Sequence, residues 1–314
     1  MQSLKRTLTH NLALTILGKP RFERILCLLC ANPFTRKSLK VGAIAFACLG
    51  ALEEPELRIA NLGTYKLWVN ISEFLGTSLY FFGEHNEPFS AQLVSELIHP
   101  GDTCIDIGAN QGSYTFLMAS LVGKNGKVVA FEPQLDLGQM LKDSLLLNDY
   151  GDRLLLDGRA VYKNSGEKLK FYLSEDIKNS GHSSLVNHGV HVSAERVAIV
   201  ETITLTDFFQ EQNIDFAKVV KIDVERAELE VIQGATDLFK QQRIKSVILE
   251  QEAGSDAQKL LESHQYQCWM IDEMRNKLVN IKSVKKGQFA NYLFVSPNLN
   301  NAFNQRYQSC IENA

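Results

Sequence analysis

Short apolar segments alternate with longer amphipathic segments between residues 103 and 264, and this rhythm constrains the fold more than any other feature of the sequence. Strands that alternate with helices along a chain predict a parallel sheet covered by helices on both faces. We therefore predict an α/β fold with a doubly wound, mostly parallel sheet. The predicted strands are 103–107, 127–131, 153–156 with Val161, 218–222 and 246–250, and the predicted helices are 113–121, 135–148, 228–239 and 255–264.

The remaining segments suggest how the chain is divided. Residues 267–271 and 291–295 predict an antiparallel hairpin that closes the sheet. We predict a helical N-terminal region over 1–79, a sheet domain over 80–297 and a C-terminal tail over 298–314.

The N-terminal region reads mainly as helices. Its first 60 residues are broken near 18–20 and 32–33, where proline interrupts the helical pattern. Residues 65–71 alternate roughly between apolar and polar side chains, and 79–82 are apolar and aromatic. Both segments look like short strands.

The composition is that of an ordinary globular protein. Apolar residues make up 45% and charged residues 22%, which excludes disorder as the main state. The net charge of −3 argues against an electrostatic nucleic-acid binder. Six cysteines, scattered mostly among apolar neighbours, predict a reducing, cytoplasmic location. Cys27 and Cys30 have the spacing of a zinc half-site, but no second pair follows, so we interpret them as a buried helical pair.

Residues 41–52 form the most apolar run of the chain. The run is shorter than the roughly 20 residues that a membrane-spanning helix needs. It predicts a buried helix, and an interfacial helix is the alternative because Arg36, Lys37 and Lys40 precede it. Residues 1–17 have no convincing secretory signal. Peripheral membrane contact by the N-terminal helices and a homo-oligomer both stay open.

The turn after the first predicted strand carries the clearest chemical signal. It reads Asp106-Ile-Gly-Ala-Asn-Gln-Gly112 and opens a helix. Ligands of doubly wound sheets lie beyond the carboxyl ends of strands. The turn lacks the GxGxxG pattern of dinucleotide sites and the Gly-Lys-Ser/Thr of a Walker loop. A carboxylate at Asp106 repels a diphosphate and attracts an ammonium group.

A second acid, Glu132, follows the next predicted strand, 26 residues after Asp106. A carboxylate in this place can accept hydrogen bonds from both hydroxyls of a ribose. One acid for an ammonium group and one for a ribose, without a phosphate cradle, fit S-adenosyl-L-methionine better than NAD. A solvated loop acid is the alternative interpretation of Glu132 alone.

With these motifs, the sequence resembles the FkbM family of S-adenosylmethionine-dependent methyltransferases. The similarity extends over about 80–297. The stretch KIDVERAE is more diagnostic of the family than the glycine-rich turn. The matching stretches are 106–114 (DIGANQGSY), 131–133 (FEP), 179–185 (NSGHSSL), 204–207 (TLTD), 221–228 (KIDVERAE) and 291–295 (NYLFV).

The resemblance implies a Rossmann-like methyltransferase sheet and a set of site residues. Asp106, Gly108 and Asn110 would line the methionine end of the cofactor, and Glu132 would hold the ribose. Residues 157–160 would lie near the adenine. The full set implied for the cofactor is Asp106, Gly108, Ala109, Asn110, Gly112, Tyr114, Glu132, Pro133, Gly158, Ala160 and Asp223.

The resemblance also implies where methyl transfer takes place. Asp223 would face the junction between methyl group and substrate, and we predict that it positions the acceptor with support from Glu225. Glu225 or Glu228 could instead cap the following helix, whose first turn favours acids. Arg226 replaces a glycine usual in the family, so it could reshape the pocket, attract an acidic substrate or face solvent.

Histidines offer a further candidate for the base. His182, in a polar segment that could cover the site, is the best placed. Together with His188 and His191 it raises the possibility of a metal, but the spacing matches no strong zinc signature, and we predict no metal site.

We therefore predict an S-adenosylmethionine-dependent methyltransferase that acts on a hydroxyl of a small molecule or a glycan. Two alternatives remain at this point: an oxidoreductase dependent on NAD or a nucleotide sugar, and a catalytically silent binding protein.

Overall fold

A computed structural model describes residues 12–39, 41–176, 178–186 and 192–312 of the chain. The strands are β1 Leu57–Asn61, β2 Lys66–Asn70, β3 Thr103–Ile107, β4 Lys127–Phe131, β5 Leu154–Asp157, β6 Ala160–Val161, β7 Lys168–Ser174, β8 Val192–Ile203, β9 Ala217–Ile222, β10 Ile244–Glu252, β11 Gln267–Asp272, β12 Lys277–Asn280, β13 Phe289–Val295 and β14 Ile311–Glu312.

The α-helices are α1 Pro20–Ala31, α2 Pro33–Leu39, α3 Gly42–Ala51, α4 Phe74–Thr77, α5 Pro88–Leu97, α6 Ser113–Leu121, α7 Leu135–Leu146, α8 Leu205–Glu211, α9 Glu228–Gly234, α10 Thr236–Lys240, α11 Asp256–Ser263 and α12 Asn300–Arg306. A π-helix, Ser78–Phe82, continues α4. Short 3₁₀ turns occur at Gly151–Arg153, Ser180–His182 and Ile281–Ser283.

A nine-stranded sheet in the order β14-β12-β11-β13-β10-β9-β3-β4-β5 forms the centre of the molecule. The five strands from β10 to β5 run parallel, and β13 pairs antiparallel with both β10 and β11. Helices α5 to α7 contribute to the buried cluster on one face of the sheet, and α8 to α11 contribute to the cluster on the other. The structure thus confirms the doubly wound, mostly parallel α/β fold and the helical N-terminal region.

The C-terminal part of the sheet is larger than the predicted hairpin. Residues 267–271 and 291–295 do pair antiparallel, but they do not form the edge. The connection between them contains β12, and β14 from the C-terminal tail adds a further strand. The polar side chains of the connection concealed β12, because a half-buried strand at the outer part of a sheet needs few apolar residues.

The segment 79–82 is a π-helix, so its prediction as a strand was wrong. A run of four apolar residues cannot distinguish a strand from a turn of buried helix. Here the run continues α4 and buries Leu79, Phe81 and Phe82. Packing on two buried clusters outweighs the β-propensity of its aromatic residues.

The stretch between β5 and β9 contains two strands, β7 and β8, that were not predicted from the sequence. It contains a separate three-stranded sheet in the order β6-β8-β7. Charged residues interrupt the apolar pattern of β7 and β8 and weaken the signal for a strand. They are Lys168, Lys170, Glu195, Arg196 and Glu201. His188 and His191, which the sequence analysis considered as metal ligands, lie outside the described residues.

The apolar run 41–52 forms α3, and the prediction that this helix is buried was wrong in part. Ala45 and Cys48 are buried, but Phe46 is 40% exposed. Among the described residues, only one side of the helix packs against the rest of the protein. No helix in the described part of the chain is long and apolar enough to cross a membrane.

The division at residue 80 stays a prediction. The largest buried cluster contains residues on both sides of that point, from Ala60 on β1 to Tyr307 near the C-terminus.

Candidate active site

A cavity of about 300 Å³ opens at the carboxyl ends of the parallel strands. Residues at the ends of β3, β4, β9 and β10 line it, as do the loops that follow them. In the sheet, β3 has β4, the next strand along the chain, on one side and β9 on the other side. This is the topological switch point at which doubly wound sheets bind ligands.

The turn after β3 is held close to the neighbouring strands. The backbone N–H groups of Gly108 and Ala109 both donate to Phe131 O at 3.0 Å. Gly108 has φ +82°, and a Cβ atom there would lie 1.9 Å from Asp223 O. Glycine is therefore required at position 108, because a side chain would push β3 away from the end of β9.

Asp106 lies at the floor of the cavity and is almost completely buried. Thr115 Oγ1 donates a hydrogen bond to its carboxylate at 2.5 Å. Burial raises the pKa of Asp106 to about 6, although the Thr115 hydrogen bond and the charge of Lys221 act in the opposite direction. A cation in the cavity would favour the ionised carboxylate.

Glu132 follows β4 on the adjacent wall. Its two carboxylate oxygens accept hydrogen bonds from the backbone N–H groups of Asn110 at 2.8 Å and Gln134 at 2.9 Å. Burial raises the pKa of Glu132 to about 7, and the two backbone hydrogen bonds only partly offset this. The amides fix the orientation of the carboxylate, and each oxygen keeps a lone pair for a ligand.

A buried lysine, Lys221 on β9, lies among several carboxylates. Its side chain is about 1% exposed, and Nζ lies 2.9 Å from Asp223 Oδ2. Burial favours the neutral amine, but the neighbouring carboxyl groups, Asp223 most of all, outweigh it and raise the pKa of Lys221. We conclude that the ammonium is charged and holds this acidic wall together.

The two carboxyls nearest Lys221 differ in protonation. Burial opposes ionisation of Asp223, but the Lys221 ammonium outweighs burial and holds the pKa of Asp223 below its usual range. Burial and the Asp223 charge raise the pKa of Glu250, and the two carboxyls share a hydrogen bond. Asp223 is therefore the ionised member of the pair near neutral pH and Glu250 the protonated one.

The carboxylates of Asp223, Glu225 and Glu250 come within 4.8 Å of one another. Such spacing can ligate a divalent cation. In this structure Lys221 already supplies a positive charge at Asp223, so the cluster is compensated by a side chain of the protein itself.

A comparison with protein-family models matches residues 106–293, more than half of the chain, to the methyltransferase FkbM domain. The chain belongs to the FkbM methyltransferase family. A curated relative, the hexuronic acid methyltransferase AglP from Haloferax volcanii, is 28% identical over 219 residues, which cover 70% of this chain and 80% of that protein.

Two solved structures are similar to this FkbM protein. The methyltransferase FkbM from Methylobacillus flagellatus KT has 14% identity and a TM-score of 0.39, and the match covers 87% of this chain and 57% of that chain. An S-adenosylmethionine-dependent O-methyltransferase from Thermotoga maritima has 12% identity and a TM-score of 0.37, with 68% and 66% covered.

The FkbM stretch 221–228 leaves β9 through an unusual turn. Glu225 and Arg226 both have positive φ values, +51° and +75°. Ser184 Oγ donates to Glu225 O at 2.5 Å and thereby fixes the turn from the opposite side. The family usually has glycine where Arg226 stands, and the structure shows why glycine suits the position, since the left-handed conformation strains other residues.

Two acids of this turn have different surroundings. Burial raises the pKa of Glu225, which lines the cavity, to about 7. Glu228 accepts a hydrogen bond from the backbone N–H of Arg226 at 3.0 Å, at the start of α9. Arg226 precedes Ala227, the N-cap residue of α9, so this contact holds the turn and does not cap the helix.

The polar FkbM segment 179–185 packs against the cavity. Ser180 donates to Glu73 Oε2 from its backbone N–H at 3.0 Å and from Oγ at 2.7 Å. Ser183 Oγ donates to Gln134 Oε1 at 3.1 Å. The segment therefore contacts the N-terminal part of the chain on one side and the loop after β4 on the other.

The structure brings most of the residues predicted for the site together, although their roles stay predictions. Three do not line the cavity: Gly112, Gly158 and His182. His182 Nε2 lies 2.9 Å from Asn179 Nδ2 within its own segment. The residues that do line it are Asp106, Gly108, Ala109, Asn110, Tyr114, Glu132, Pro133, Ala160, Asp223 and Glu225.

Glycine is required at position 112 for helix packing rather than for contact with a ligand. Its φ is +90°, and a Cβ atom would lie 2.6 Å from Leu141 Cδ2. The glycine lets α6 begin close to α7. It therefore shapes the cavity indirectly.

Several residues that line the cavity were not predicted from the sequence. Lys221 lies inside a motif that was recognised, but a lysine in a predicted strand gave no signal for a role. His85 and Glu87 precede α5, and Glu250 lies on β10. Tyr114 Oη donates to Glu87 Oε2 at 2.8 Å, which ties this loop to the first motif. A charged residue next to apolar residues of a predicted strand, such as Lys221 or Glu250, was the available signal for a residue that lines the cavity.

Proposed function

We propose that this FkbM protein is an S-adenosyl-L-methionine-dependent O-methyltransferase that acts on a hydroxyl of an acidic sugar. One observation carries the cofactor proposal: Asp106 and Glu132 are buried carboxylates at one end of the cavity, and neither has a basic side chain within salt-bridge distance in the described structure. Such carboxylates suit a ligand that brings its own positive charge and ribose hydroxyls.

The residues around the cavity fit this cofactor. Asp106 would accept hydrogen bonds from an ammonium group, and Glu132 would accept them from ribose hydroxyls. Asp106 repels diphosphate, so the same wall disfavours NAD. When bound, S-adenosyl-L-methionine supplies a methyl group on a sulfonium cation, which an acceptor oxygen can displace.

The carboxylates that follow β9 would bind and deprotonate the acceptor. Asp223, kept ionised by Lys221, would accept a hydrogen bond from the acceptor hydroxyl and orient it. Glu225, with a pKa of about 7, is matched to taking the hydroxyl proton onto a carboxylate oxygen near neutral pH. We assign no role at the reacting atoms to His182.

The acceptor class rests on two supports. AglP is named as a hexuronic acid methyltransferase, and it is 28% identical to this chain. Arg226 is exposed and lies between Glu225 and Ala227, which both line the cavity. A guanidinium at this rim can pair with the carboxylate of an acidic sugar. The strain at Arg226 suggests that a function retains it.

Asp106→Asn tests the cofactor site. We expect the dissociation constant for S-adenosyl-L-methionine to rise about 10- to 100-fold, because a charge-assisted hydrogen bond is lost. The free energy of unfolding of the ligand-free protein should not fall, since the substitution removes a buried charge. Isothermal titration calorimetry and denaturant unfolding measure the two quantities.

The control for this experiment is Asp152→Asn, at an exposed position of a 3₁₀ turn away from the cavity. It should leave the affinity unchanged. Tight binding of NAD by the native protein, with no affinity for S-adenosyl-L-methionine, would refute the proposed cofactor. Unchanged affinity in Asp106→Asn would refute the site.

Arg226→Gly tests the acceptor class. Glycine relieves the left-handed strain, so we expect the free energy of unfolding to rise by about 1 kcal/mol. The KM for p-nitrophenyl glucuronide should rise about tenfold because the carboxylate loses its partner. The KM for the uncharged glucoside and the affinity for the cofactor should not change. Release of S-adenosylhomocysteine measures turnover.

Gln265→Gly is the matched control, because Gln265 is also exposed and has φ +67° but lies outside the cavity. It should stabilise the protein to a similar degree without any effect on KM. If Arg226→Gly leaves the KM for the glucuronide unchanged, the proposal for an acidic acceptor is wrong, whereas methyl transfer itself is unaffected.

A further inference from the structure

The start of the chain has a charge opposite to that of the rest. Residues 1–52 contain eight lysines and arginines and a single acid, Glu23, which makes +7, whereas residues 53–314 carry −10. Glu23 does not offset the surface charge, because it is buried and its carboxylate lies 2.9 Å from Arg58 Nε. The layer formed by α1, α2 and α3, which we call the N-terminal helical layer, is therefore cationic at its surface.

Helix α1 in this layer is apolar on two sides. Leu26 and Cys30 are buried against the protein. Phe22, Ile25 and Leu28, spaced three residues apart on a different side, are 53%, 53% and 66% exposed. A helix that is apolar all round is normally enclosed. Here a stripe of large apolar side chains faces outward.

The exposed stripe is continued by α2 and bordered by cations. Phe34 and Leu39 on α2 are also well exposed. No carboxylate of the described residues lies within salt-bridge distance of the exposed cations of the layer. These cations are Lys19, Arg21, Arg24 and Lys37.

We propose that the N-terminal helical layer binds the surface of an anionic lipid bilayer. Phe22, Ile25 and Leu28 would enter the interface between headgroups and acyl chains, and the adjacent cations would pair with anionic headgroups. The charge favours a bilayer over a second copy of the same face, because a symmetric dimer would oppose two cationic surfaces.

The layer also adjoins the candidate active site. The ring of Phe46 on α3 stacks on Phe74 with centroids 5.5 Å apart and an interplanar angle of 10°. Phe74 lines the cavity. A protein bound through this layer therefore holds its cavity near the bilayer surface. The binding proposal itself does not depend on methyl transfer, so the two can fail separately.

Vesicle co-sedimentation of the full chain tests the proposal. We expect at least about tenfold stronger binding to vesicles of phosphatidylcholine mixed with phosphatidylglycerol than to phosphatidylcholine alone, because several cations contact the surface. Raising the salt concentration should weaken binding, since the salt screens those charges. Equal binding to both vesicle types, or none to either, would overturn the proposal.

The triple variant Phe22→Ser/Ile25→Ser/Leu28→Ser should reduce binding to the anionic vesicles at least about tenfold. Its circular dichroism and turnover of soluble acceptor should be unchanged, because these side chains neither pack in the core nor line the cavity. The control Leu135→Ser/Leu146→Ser removes two apolar side chains from α7 that are even more exposed. It should leave vesicle binding unchanged.

Two results in the variants would contradict the proposal. Equal loss of binding in the triple variant and the control would show a nonspecific apolar effect. If light scattering shows that the triple variant turns a dimer into a monomer while vesicle binding persists, the stripe is a contact between copies of the chain.

Discussion

Asp223→Asn is expected to lower kcat about 10²- to 10⁴-fold while the affinity for S-adenosyl-L-methionine changes less than tenfold. Asp223 is the ionised carboxylate at the end of β9, and Lys221 holds it in place at 2.9 Å. The asparagine has the same shape but carries no charge, so it holds the acceptor hydroxyl less firmly and does not stabilise positive charge on it. The loss therefore falls on the chemical step.

Single-turnover release of S-adenosylhomocysteine, with p-nitrophenyl glucuronide as acceptor, separates this step from binding. The matched control is Asp237→Asn on α10, whose carboxylate is exposed and paired with Lys240. It should retain full activity. If Asp223→Asn keeps kcat within about threefold of the native value, Asp223 does not orient the acceptor and the catalytic assignment fails.

Lys221→Met is expected to lower the free energy of unfolding by about 1–3 kcal/mol at pH 8, since only one member of the ion pair is fully buried. The ammonium of Lys221 is buried among Asp223, Glu250 and Glu87, and without it the partly exposed Asp223 carboxylate loses its cationic partner. Methionine fills a similar volume and leaves no large cavity. The loss thus reports on charge rather than on packing.

The loss of stability in Lys221→Met should depend on pH. In the native protein Lys221 holds the pKa of Asp223 below its unfolded value, which stabilises the fold above that pH range. Without Lys221, burial raises the folded pKa of Asp223 above its unfolded value, so stability is lost as the pH rises. Denaturant unfolding should show a smaller loss at pH 5 than at pH 8.

The double variant Lys221→Met/Asp223→Asn removes both charges and should recover part of the lost stability. Glu250 and Glu87 remain, so recovery is not complete. A Lys221→Met protein that is within about 0.5 kcal/mol of the native stability at pH 8 would show that water or another cation compensates the cluster.

Part of the candidate site could be read from the sequence because it follows from the order of elements. Asp106 and Glu132 come directly after two consecutive strands, and the carboxyl ends of parallel strands meet at one edge of a sheet. Local spacing therefore sufficed to place these two carboxylates together. Asp223 was placed at that edge by the resemblance to the FkbM family rather than by spacing.

Other residues of the site could not be read in this way. Lys221 and Glu250 lie on neighbouring strands, and only the register of β9 and β10 shows that they face one cavity. Glu87 comes from the loop before α5 and reaches the site through Tyr114 and Asn291. No local pattern predicts such contacts, because they join segments up to about 200 residues apart.

The sequence by itself determined the doubly wound sheet and its ligand-binding edge, since apolar periodicity and turn residues are local properties of the chain. Only the tertiary structure decided which charges share that edge, that Arg226 occupies a left-handed conformation, and that the described part of the chain leaves one side of the N-terminal helices uncovered. These features depend on distances between segments remote in sequence, and burial and charge pairing are properties of the folded surroundings rather than of any one segment.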